Sequence, residues 1–207
     1  MSNSNDAKVV VEIGANNGND TQRLADRFPN ATIYAFEPTQ ELLINHLWPR
    51  FKQNDRVKIL PLAIDTVPGF KTFNIAGQAD WGCSSLHEFT DNIHDLWPGR
   101  PDFKVTHKYS VPAITMYDFC SIFGIDSIDY IWIDTQGNDL NCLKSFKDKI
   151  DIVKEGRCEV ANKVELYKNI DNTYKSCHSW LKEKGFKVTP AYDYVSPSPE
   201  EDLNFYR

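Results

Sequence analysis

The stretch VVVEIGANNGND, residues 9–20, decides the fold of this chain. A run of β-branched residues leads to the carboxylate of Glu12, a turn with two glycines follows, and a polar helix start comes next. This order is typical of a first parallel strand that leads into a cofactor-binding turn at the N-terminus of a helix. The sequence therefore predicts an α/β domain with a ligand at the carboxyl ends of its strands.

A second apolar strand also ends in a carboxylate. Residues 34–38 read YAFEP, and Glu37 lies about 20 residues past the turn, the spacing at which an acidic residue reaches ribose hydroxyls in nucleotide-binding α/β units. Either strand end alone also fits an ordinary strand–turn–helix unit that binds no ligand. Two consecutive acidic strand ends favour a cofactor that contains adenosine.

The turn indicates which cofactor fits. A dinucleotide-binding turn has glycine at its first, third and sixth positions, and its second glycine gives the pyrophosphate room. Here these positions hold Gly14, Asn16 and Asn19. S-adenosyl-L-methionine has a ribose but no phosphate, and its carboxylate suits a helix N-terminus. We therefore predict S-adenosyl-L-methionine; an NAD-dependent oxidoreductase and a noncatalytic binding module of the same fold are the alternatives.

Composition and charge argue against several classes of protein. The chain has 207 residues, 41% of them hydrophobic, and is expected to form one domain, residues 1–207. A net charge of −6 argues against general nucleic-acid binding, which needs a basic surface. Five cysteines without a C-x-x-C pair favour reduced thiols in the cytoplasm over disulfides or zinc. We recognise no signal peptide or membrane span, and nothing in the sequence specifies an oligomeric state.

Strand and helix patterns alternate along most of the chain and end in two strand patterns. This order predicts a doubly wound, mostly parallel sheet with an antiparallel C-terminal hairpin. After the first strand, the predicted strands are residues 31–36, 57–60, 70–75, 109–111, 130–134, 152–160, 186–194 and 203–206. The predicted helices are residues 20–28, with Asp20 as the cap, and residues 38–51, 115–123, 137–146 and 172–184.

Residues 77–108 form an irregular insert without periodicity. Long irregular segments inside compact domains are usually lids or binding loops. This segment contains the aromatic residues Trp81, Phe89, Trp97 and Phe103. We expect them either to form a pocket for the methyl acceptor or to pin the segment as a small hydrophobic cluster. In the first case, the segment is a lid that sets acceptor choice.

Several motifs together resemble the FkbM family of S-adenosyl-L-methionine-dependent methyltransferases. EIGANNG at residues 12–18 and FEP at residues 36–38 match its first two motifs. IDTQG at residues 133–137 matches a third, with Gln136 in place of the usual glutamate. GCSSL at residues 82–86, ITMYDF at residues 114–119 and Glu159 at the end of the fifth strand follow in the family's order. Trp132 and Asp139 depart from the lysine and glutamate that the family often has.

The resemblance implies a Rossmann-like class I methyltransferase. Its expected acceptor is a hydroxyl of a saccharide or another small molecule. The sulfonium is already an activated donor, so the protein has to align the acceptor and take up its proton. The residues expected to bind the cofactor are Glu12, Gly14, Ala15, Asn16, Asn17, Gly18, Glu37, Pro38, Ala63, Asp134 and Gln136.

Asp134 is the leading candidate for a general base, because it ends a central strand at the crevice where ligands bind. The alternative is a positioning role, in which Asp134 hydrogen-bonds the loop backbone or the cofactor's ammonium group. Glu159 and His87 are further candidates for the base, against structural roles for both. Trp81, Ser84, Ser85 and Trp97 are expected to bind the acceptor. The five histidines form no ligand pair with a carboxylate, so we expect no metal site.

Overall fold

The structure is a computed structural model that describes residues 4–77, 81–162, 164–191 and 198–207, apart from the side chain of Trp81. In chain order, the strands are β1 (Val9–Ile13), β2 (Thr32–Phe36), β3 (Val57–Leu60), β4 (Ala63–Ile64), β5 (Gly69–Ala76), β6 (Val105–Ile114), β7 (Tyr130–Ile133), β8 (Glu155–Ala161), β9 (Lys187–Pro190) and β10 (Glu200–Tyr206). The helices are α1 (Asn19–Arg27), α2 (Gln40–Leu42), α3 (Trp48–Phe51), α4 (Ile93–Leu96), α5 (Met116–Phe123), α6 (Asp139–Lys144) and α7 (Tyr174–Glu183).

Seven strands form the central sheet, in the order β3-β2-β1-β7-β8-β10-β9. The first five of these run parallel, with Val10 opposite both Ile33 on β2 and Tyr130 on β7. The order reverses direction at β1, so the crevice beyond the carboxyl ends of β1 and β7 is the switch point where ligands bind in such sheets.

The strands alternate their side chains between two helical layers. Val10, Ile33 and Ala35 pack against α1 and the helical segment that ends with α3. Val11, Ile131 and their neighbours pack against α5, α6 and α7 on the opposite face. Apolar side chains on both faces are what a parallel sheet buried between helices requires. The predicted doubly wound sheet is confirmed.

The antiparallel C-terminal pair is also confirmed, with one difference in its position. β10 pairs antiparallel with both β8 and β9, so the reversed strand lies inside the sheet and β9 forms the edge. The predicted strand over residues 186–194 is represented by β9; residues 192–194 lie outside the described residues.

A second, three-stranded sheet in the order β4-β6-β5 was not predicted as a separate sheet. β6 begins at Val105, whereas the sequence placed the start of this strand at Tyr109, so the predicted irregular insert of residues 77–108 ends in regular structure. The pairing of β6 with β5 over nearly its whole length explains the difference, because exposed polar residues can extend a strand without an apolar pattern.

Two helices begin or continue differently from the prediction. Gly18, with φ of +81°, precedes α1, and Asp20 lies in its first turn with an ion pair to Arg23 instead of capping it. Between α2 and α3 the chain forms a π-helical turn, Leu43–Leu47, just before Pro49. Proline has no N–H for the next helical hydrogen bond, which favours such a local change.

Candidate active site

The turn after β1 lies against the ends of β2 and β7. The N–H groups of Gly14 and Ala15 both donate to the carbonyl oxygen of Phe36, at 3.0 and 2.9 Å. Gly14 has φ of +97°, and a Cβ there would lie 1.9 Å from the carbonyl oxygen of Asp134. Only glycine has both this backbone conformation and this clearance, so Gly14 lets the turn approach β7.

Glu37 is held by the backbone on both sides. Its Oε2 accepts from the N–H of Asn16 at 2.8 Å, and its Oε1 accepts from the N–H of Thr39 at 2.8 Å. The residue is 5% exposed, and burial raises the pKa of its carboxyl above the usual value. Each carboxylate oxygen can accept a further hydrogen bond. The carboxyl is therefore fixed in direction and retains acceptor capacity toward the cavity.

Glu12 lies beneath the turn, fully buried. Its Oε2 accepts from Thr21 Oγ1 at 2.6 Å, which joins β1 to α1. Its Oε1 has no hydrogen-bond partner among the residues that the structure describes. Burial raises the pKa of Glu12 to about 8, with nearby carboxylates adding to the shift. A neutral carboxyl is therefore favoured there at neutral pH.

The raised pKa of Glu12 predicts a pH-dependent stability. Because the folded-state pKa of about 8 exceeds the ordinary value of 4.5, the folded protein binds more protons than the unfolded chain between these values. The stability of the native protein relative to Glu12→Gln should thus fall by a few kcal/mol as the pH rises from about 4.5 to about 8. Urea unfolding of both proteins across this range measures the difference. Parallel stability curves would contradict the assignment.

Asp134, Gln136 and Glu159 form a hydrogen-bonded group at the ends of β7 and β8. Gln136 Nε2 donates to Asp134 Oδ1 and to Glu159 Oε2, both at 2.8 Å. Burial raises the pKa of Asp134 to about 6 and that of Glu159 well above its usual range. With these two pKa values, Asp134 carries the negative charge near neutral pH and Glu159 keeps its proton.

Asp139 joins the ends of β7 and β8 and was not assigned a function from the sequence. Its Oδ2 accepts from the N–H and the hydroxyl of Thr135, at 3.2 and 2.8 Å, and its Oδ1 accepts from the N–H of Glu159 at 3.0 Å. Burial raises its pKa to about 7. A second acidic residue after a buried strand was the available signal for this role.

Replacing Asp139 with asparagine should destabilise the protein. In either orientation, the amide NH2 of asparagine would face an N–H donor that Asp139 now accepts from. An unmade buried hydrogen bond costs about 1–3 kcal/mol, which is the expected loss in the free energy of unfolding. Urea denaturation measures it, with Asp148→Asn as the matched control on an exposed turn. Equal stability of the two variants would show that Asp139 does not hold the strand ends.

Ser85, His87 and Asn138 connect the irregular segment to the same strand end. Ser85 Oγ donates to the carbonyl oxygen of Gln136 at 2.6 Å and accepts from the N–H of His87 at 3.0 Å. The Nε2 of His87 lies 2.9 Å from Asn138 Oδ1. His87 is therefore engaged with a side chain of the loop after β7.

The aromatic residues of the segment form a cluster of their own. The rings of Trp97 and Phe89 lie 5.2 Å from Phe103, between ring centroids, and Phe89 lies 5.3 Å from Tyr167. Arg100 stacks over both Trp97 and Phe103. Trp81 begins a short turn, but its side chain is outside the described part of the structure. Phe89, Trp97 and Phe103 thus pack on one another and on Tyr167, which lies outside the segment.

A cavity of about 590 Å³, partly open to solvent, lies at the carboxyl ends of β1, β2 and β7. Eight residues predicted for the site line it: Gly14, Asn16, Glu37, Pro38, Ala63, Ser84, Asp134 and Gln136. Lining residues not predicted from the sequence include Thr39, Leu62, Phe73, Leu86, Thr135 and Asn138. Phe73 comes from the second sheet and Leu86 from the irregular segment, and the pairing of these parts was not predicted from the sequence.

The other described candidates lie behind the cavity wall or apart from it. Glu12 and Ala15 are buried, and Gly18 is buried against Leu47 and Phe51. Asn17 is half-buried in the turn, and Ser85 and Glu159 contact Gln136. His87 contacts Asn138, and Trp97 belongs to the aromatic cluster. Among the described residues, no group of three or more His, Cys, Asp or Glu side chains is arranged to hold a metal ion. Nor does the described part contain a helix that is long and apolar enough to cross a membrane.

Comparison with known proteins identifies the family. A model of the FkbM methyltransferase domain matches residues 12–188, most of the chain. The chain belongs to the FkbM methyltransferase family. The match includes the turn after β1, Glu37, Asp134, Gln136 and Glu159, so every group of the site described above lies within the family domain.

One curated protein is similar in sequence to most of this chain. The 2-O-methyltransferase NoeI of Sinorhizobium fredii (strain NBRC 101917 / NGR234) is 28% identical over 151 residues, which cover 69% of this chain and 58% of that protein. The chain thus spans less than two thirds of the length of this relative.

Both solved structures have a similar fold at low identity. TrmK of M. capricolum, in complex with S-adenosyl-homocysteine, has a TM-score of 0.53 and 11% identity, covering 98% of this chain and 63% of that chain. Precorrin-6y C5,15-methyltransferase of Geobacter metallireducens GS-15 has a TM-score of 0.51 and 12% identity, covering 98% and 82%. They confirm the Rossmann-like methyltransferase fold.

Proposed function

We propose that this protein is a methyltransferase that uses S-adenosyl-L-methionine and methylates a hydroxyl of a saccharide or another small molecule. The observation that carries the proposal is the cavity in which the turn after β1, Glu37 and Asp134 meet. The crevice at the switch point of a parallel sheet is where such folds bind nucleoside cofactors.

The residues present fit this cofactor. Gly14 lets the turn after β1 lie directly against the end of β7, where both line the cavity, and Glu37 presents a fixed carboxyl with acceptor capacity for ribose hydroxyls. When bound, the cofactor supplies an activated methyl group on a sulfonium centre. Asn16 lines the cavity where a dinucleotide turn has its second glycine, which supports this cofactor over NAD.

The name of the relative, a 2-O-methyltransferase, supports a hydroxyl oxygen as the acceptor. Asp134 is the proposed base for this hydroxyl, because it lines the cavity and its pKa of about 6 leaves it ionised at neutral pH.

The net charge of −6 supports a small acceptor over a nucleic acid. Ser84, on the cavity wall beside Leu86, is the proposed contact for the acceptor. The five cysteines are buried and form no disulfide among the described residues, which supports a reducing, cytoplasmic location.

Ligand-dependent thermal stability tests the cofactor proposal. S-adenosylhomocysteine should raise the melting temperature in a concentration-dependent way, and NAD should not, because a ligand stabilises the state that it binds. The opposite result would favour an oxidoreductase, and no response to either would favour a noncatalytic module. Incubation with an isotopically labelled methyl donor and a metabolite extract, followed by mass spectrometry, would identify the acceptor.

Replacing Glu37 with alanine should weaken S-adenosylhomocysteine binding by about 1–3 kcal/mol, the cost of leaving charged hydrogen bonds unmade. Isothermal titration calorimetry measures the affinity. Glu41→Ala is the matched control, since Glu41 is exposed on the helix that follows. An unchanged affinity in folded Glu37→Ala would contradict the ribose assignment.

A further inference from the structure

Gln136 has four hydrogen-bond partners in a single arrangement. Its Nε2 donates to Asp134 and Glu159, and its Oε1 accepts from the hydroxyl of Tyr167 at 2.9 Å. Its carbonyl oxygen accepts from Ser85. The residue has φ of +55°, a conformation that non-glycine residues rarely adopt. Turning the amide over would set its oxygen against two carboxyl groups, so the partners fix its orientation.

This arrangement brings two carboxyl groups to one amide. Gln136 Nε2 lies 2.8 Å from one oxygen of Asp134 and 2.8 Å from one oxygen of Glu159, so the two carboxyl groups lie close together. Two buried carboxyl groups this near each other cannot both be ionised at low cost, so they titrate as a pair. Asp134 lines the cavity and Glu159 lies behind it, so the two members are not equivalent.

The surroundings add more negative charge than positive charge. Asp139 lies on α6 and Tyr167 lies on the loop before α7, while the carboxyl groups of Glu12 and Asp20 approach from β1 and α1. Glu200 and Asp202 face the pair from β10, where Asp202 pairs with Arg157 and Glu200 is near Arg100. Within the described residues, the NH2 group of Gln136 is thus the donor that the two carboxyl groups share.

We propose that Gln136 is a positioning residue whose amide holds Asp134 and Glu159 as a carboxyl pair that shares one proton, with the ionised Asp134 toward the cavity. Its role in catalysis rests on the function proposed above: the proton of an acceptor hydroxyl passes to the carboxylate of Asp134, while Glu159 keeps its own. A glutamate at position 136 would remove both donors and add a third acidic group.

Contacts outside the pair hold the Gln136 amide in place. The ring of Tyr167 packs so closely on Gly137 that a Cβ there would lie 2.4 Å from it. Tyr167 also contacts Phe89, and Ser85 belongs to the same irregular segment. The segment over the cavity is therefore joined to the carboxyl pair through Gln136.

Titration of the carboxyl groups tests the proposal without an acceptor. The protein is labelled with ¹³C at the aspartate and glutamate carboxyl carbons, and its signals are followed by NMR from about pH 4 to about pH 9, both free and with S-adenosylhomocysteine. Asp134→Asn and Glu159→Gln assign the two signals. We expect one proton to remain on the pair at neutral pH. Gln136→Glu and Gln136→Met should each raise the Asp134 midpoint by about one unit or more.

A matched control and a second variant make the test specific. Gln53→Glu adds the same charge on an exposed turn and should leave the midpoint unchanged. Tyr167→Phe removes only the hydrogen bond from the Tyr167 hydroxyl to Gln136 Oε1, which orients the amide. It should raise the Asp134 midpoint by a smaller amount. Two carboxyl groups fully ionised at pH 7, or a midpoint that neither Gln136 variant moves, would overturn the proposal. Failure of the native protein to bind S-adenosylhomocysteine would instead overturn the proposed function, because the titration of the free protein is independent of it.

Discussion

The Asp134→Asn variant is expected to transfer methyl groups about 10²–10⁴-fold more slowly while its affinity for S-adenosylhomocysteine changes little. Asparagine keeps the shape of the side chain and removes the carboxylate that would take the acceptor's proton. The nearby amide of Gln136 and the cavity wall remain in place. The rate is measured as transfer of labelled methyl to the acceptor, and the affinity by calorimetry.

The pH dependence of the native enzyme adds a second measurement of the same group. With a pKa of about 6, Asp134 is protonated in acid, so the transfer rate should fall as the pH drops below about 6 and level off above it. Asp148→Asn, an exposed change on the turn after α6, should retain both the native rate and this profile.

Other outcomes for Asp134→Asn have distinct meanings. A fall in both affinity and rate would show that Asp134 positions the cofactor, as its place beside the turn after β1 also permits. A native rate and a native affinity would contradict both roles. Glu159 and His87 would then be the remaining candidates for the base.

The second large effect is expected for Gly14→Ala. A Cβ at this position would lie 1.9 Å from the carbonyl oxygen of Asp134, which is backbone and cannot turn away. The turn and β7 would have to separate, and the new side chain would also be strained at φ of +97°. We expect a loss of about 3 kcal/mol or more in the free energy of unfolding, and at least about 100-fold weaker S-adenosylhomocysteine binding in any folded fraction.

Gly99→Ala is the matched control for this substitution. Gly99 has φ of +83°, but a Cβ there would have no neighbour within 4 Å among the described atoms. It should therefore lose only the conformational cost of about 1–2 kcal/mol and retain native binding. Urea unfolding and calorimetry compare the two variants. Equal losses in stability and affinity would show that the close approach of Gly14 to β7 is unimportant.

The fold was predicted wherever neighbouring residues determine it. The β-branched run of β1, the glycine after it and the apolar strand before Glu37 are local features, and the sheet that they predict is the observed one. Pairing between distant segments was harder to predict. The sequence did not indicate that β4, β6 and β5 form a separate sheet or that β10 enters the sheet between β8 and β9.

The residues of the candidate site also divide into those that local sequence features identified and those that they did not. Gly14, Glu37 and Asp134 were identified because motif spacing and strand ends place them at one edge of the sheet, and all three line the cavity. Their functional roles stay predictions until the variants are measured. From the sequence, we expected Glu12 to bind the cofactor and considered Glu159 as a base. In the structure both side chains lie behind the residues that line the cavity.

The sequence by itself determined the first two strands, the turn after β1 and the two acidic strand ends, because backbone conformation and hydrophobic periodicity depend on residues close in the chain. The tertiary structure alone decided the partners of Gln136. Ser85, Glu159 and Tyr167 are 51, 23 and 31 residues away from it. Their side chains meet because strand pairing and the packing of the irregular segment bring them together, and no local pattern in the chain encodes such long-range contacts.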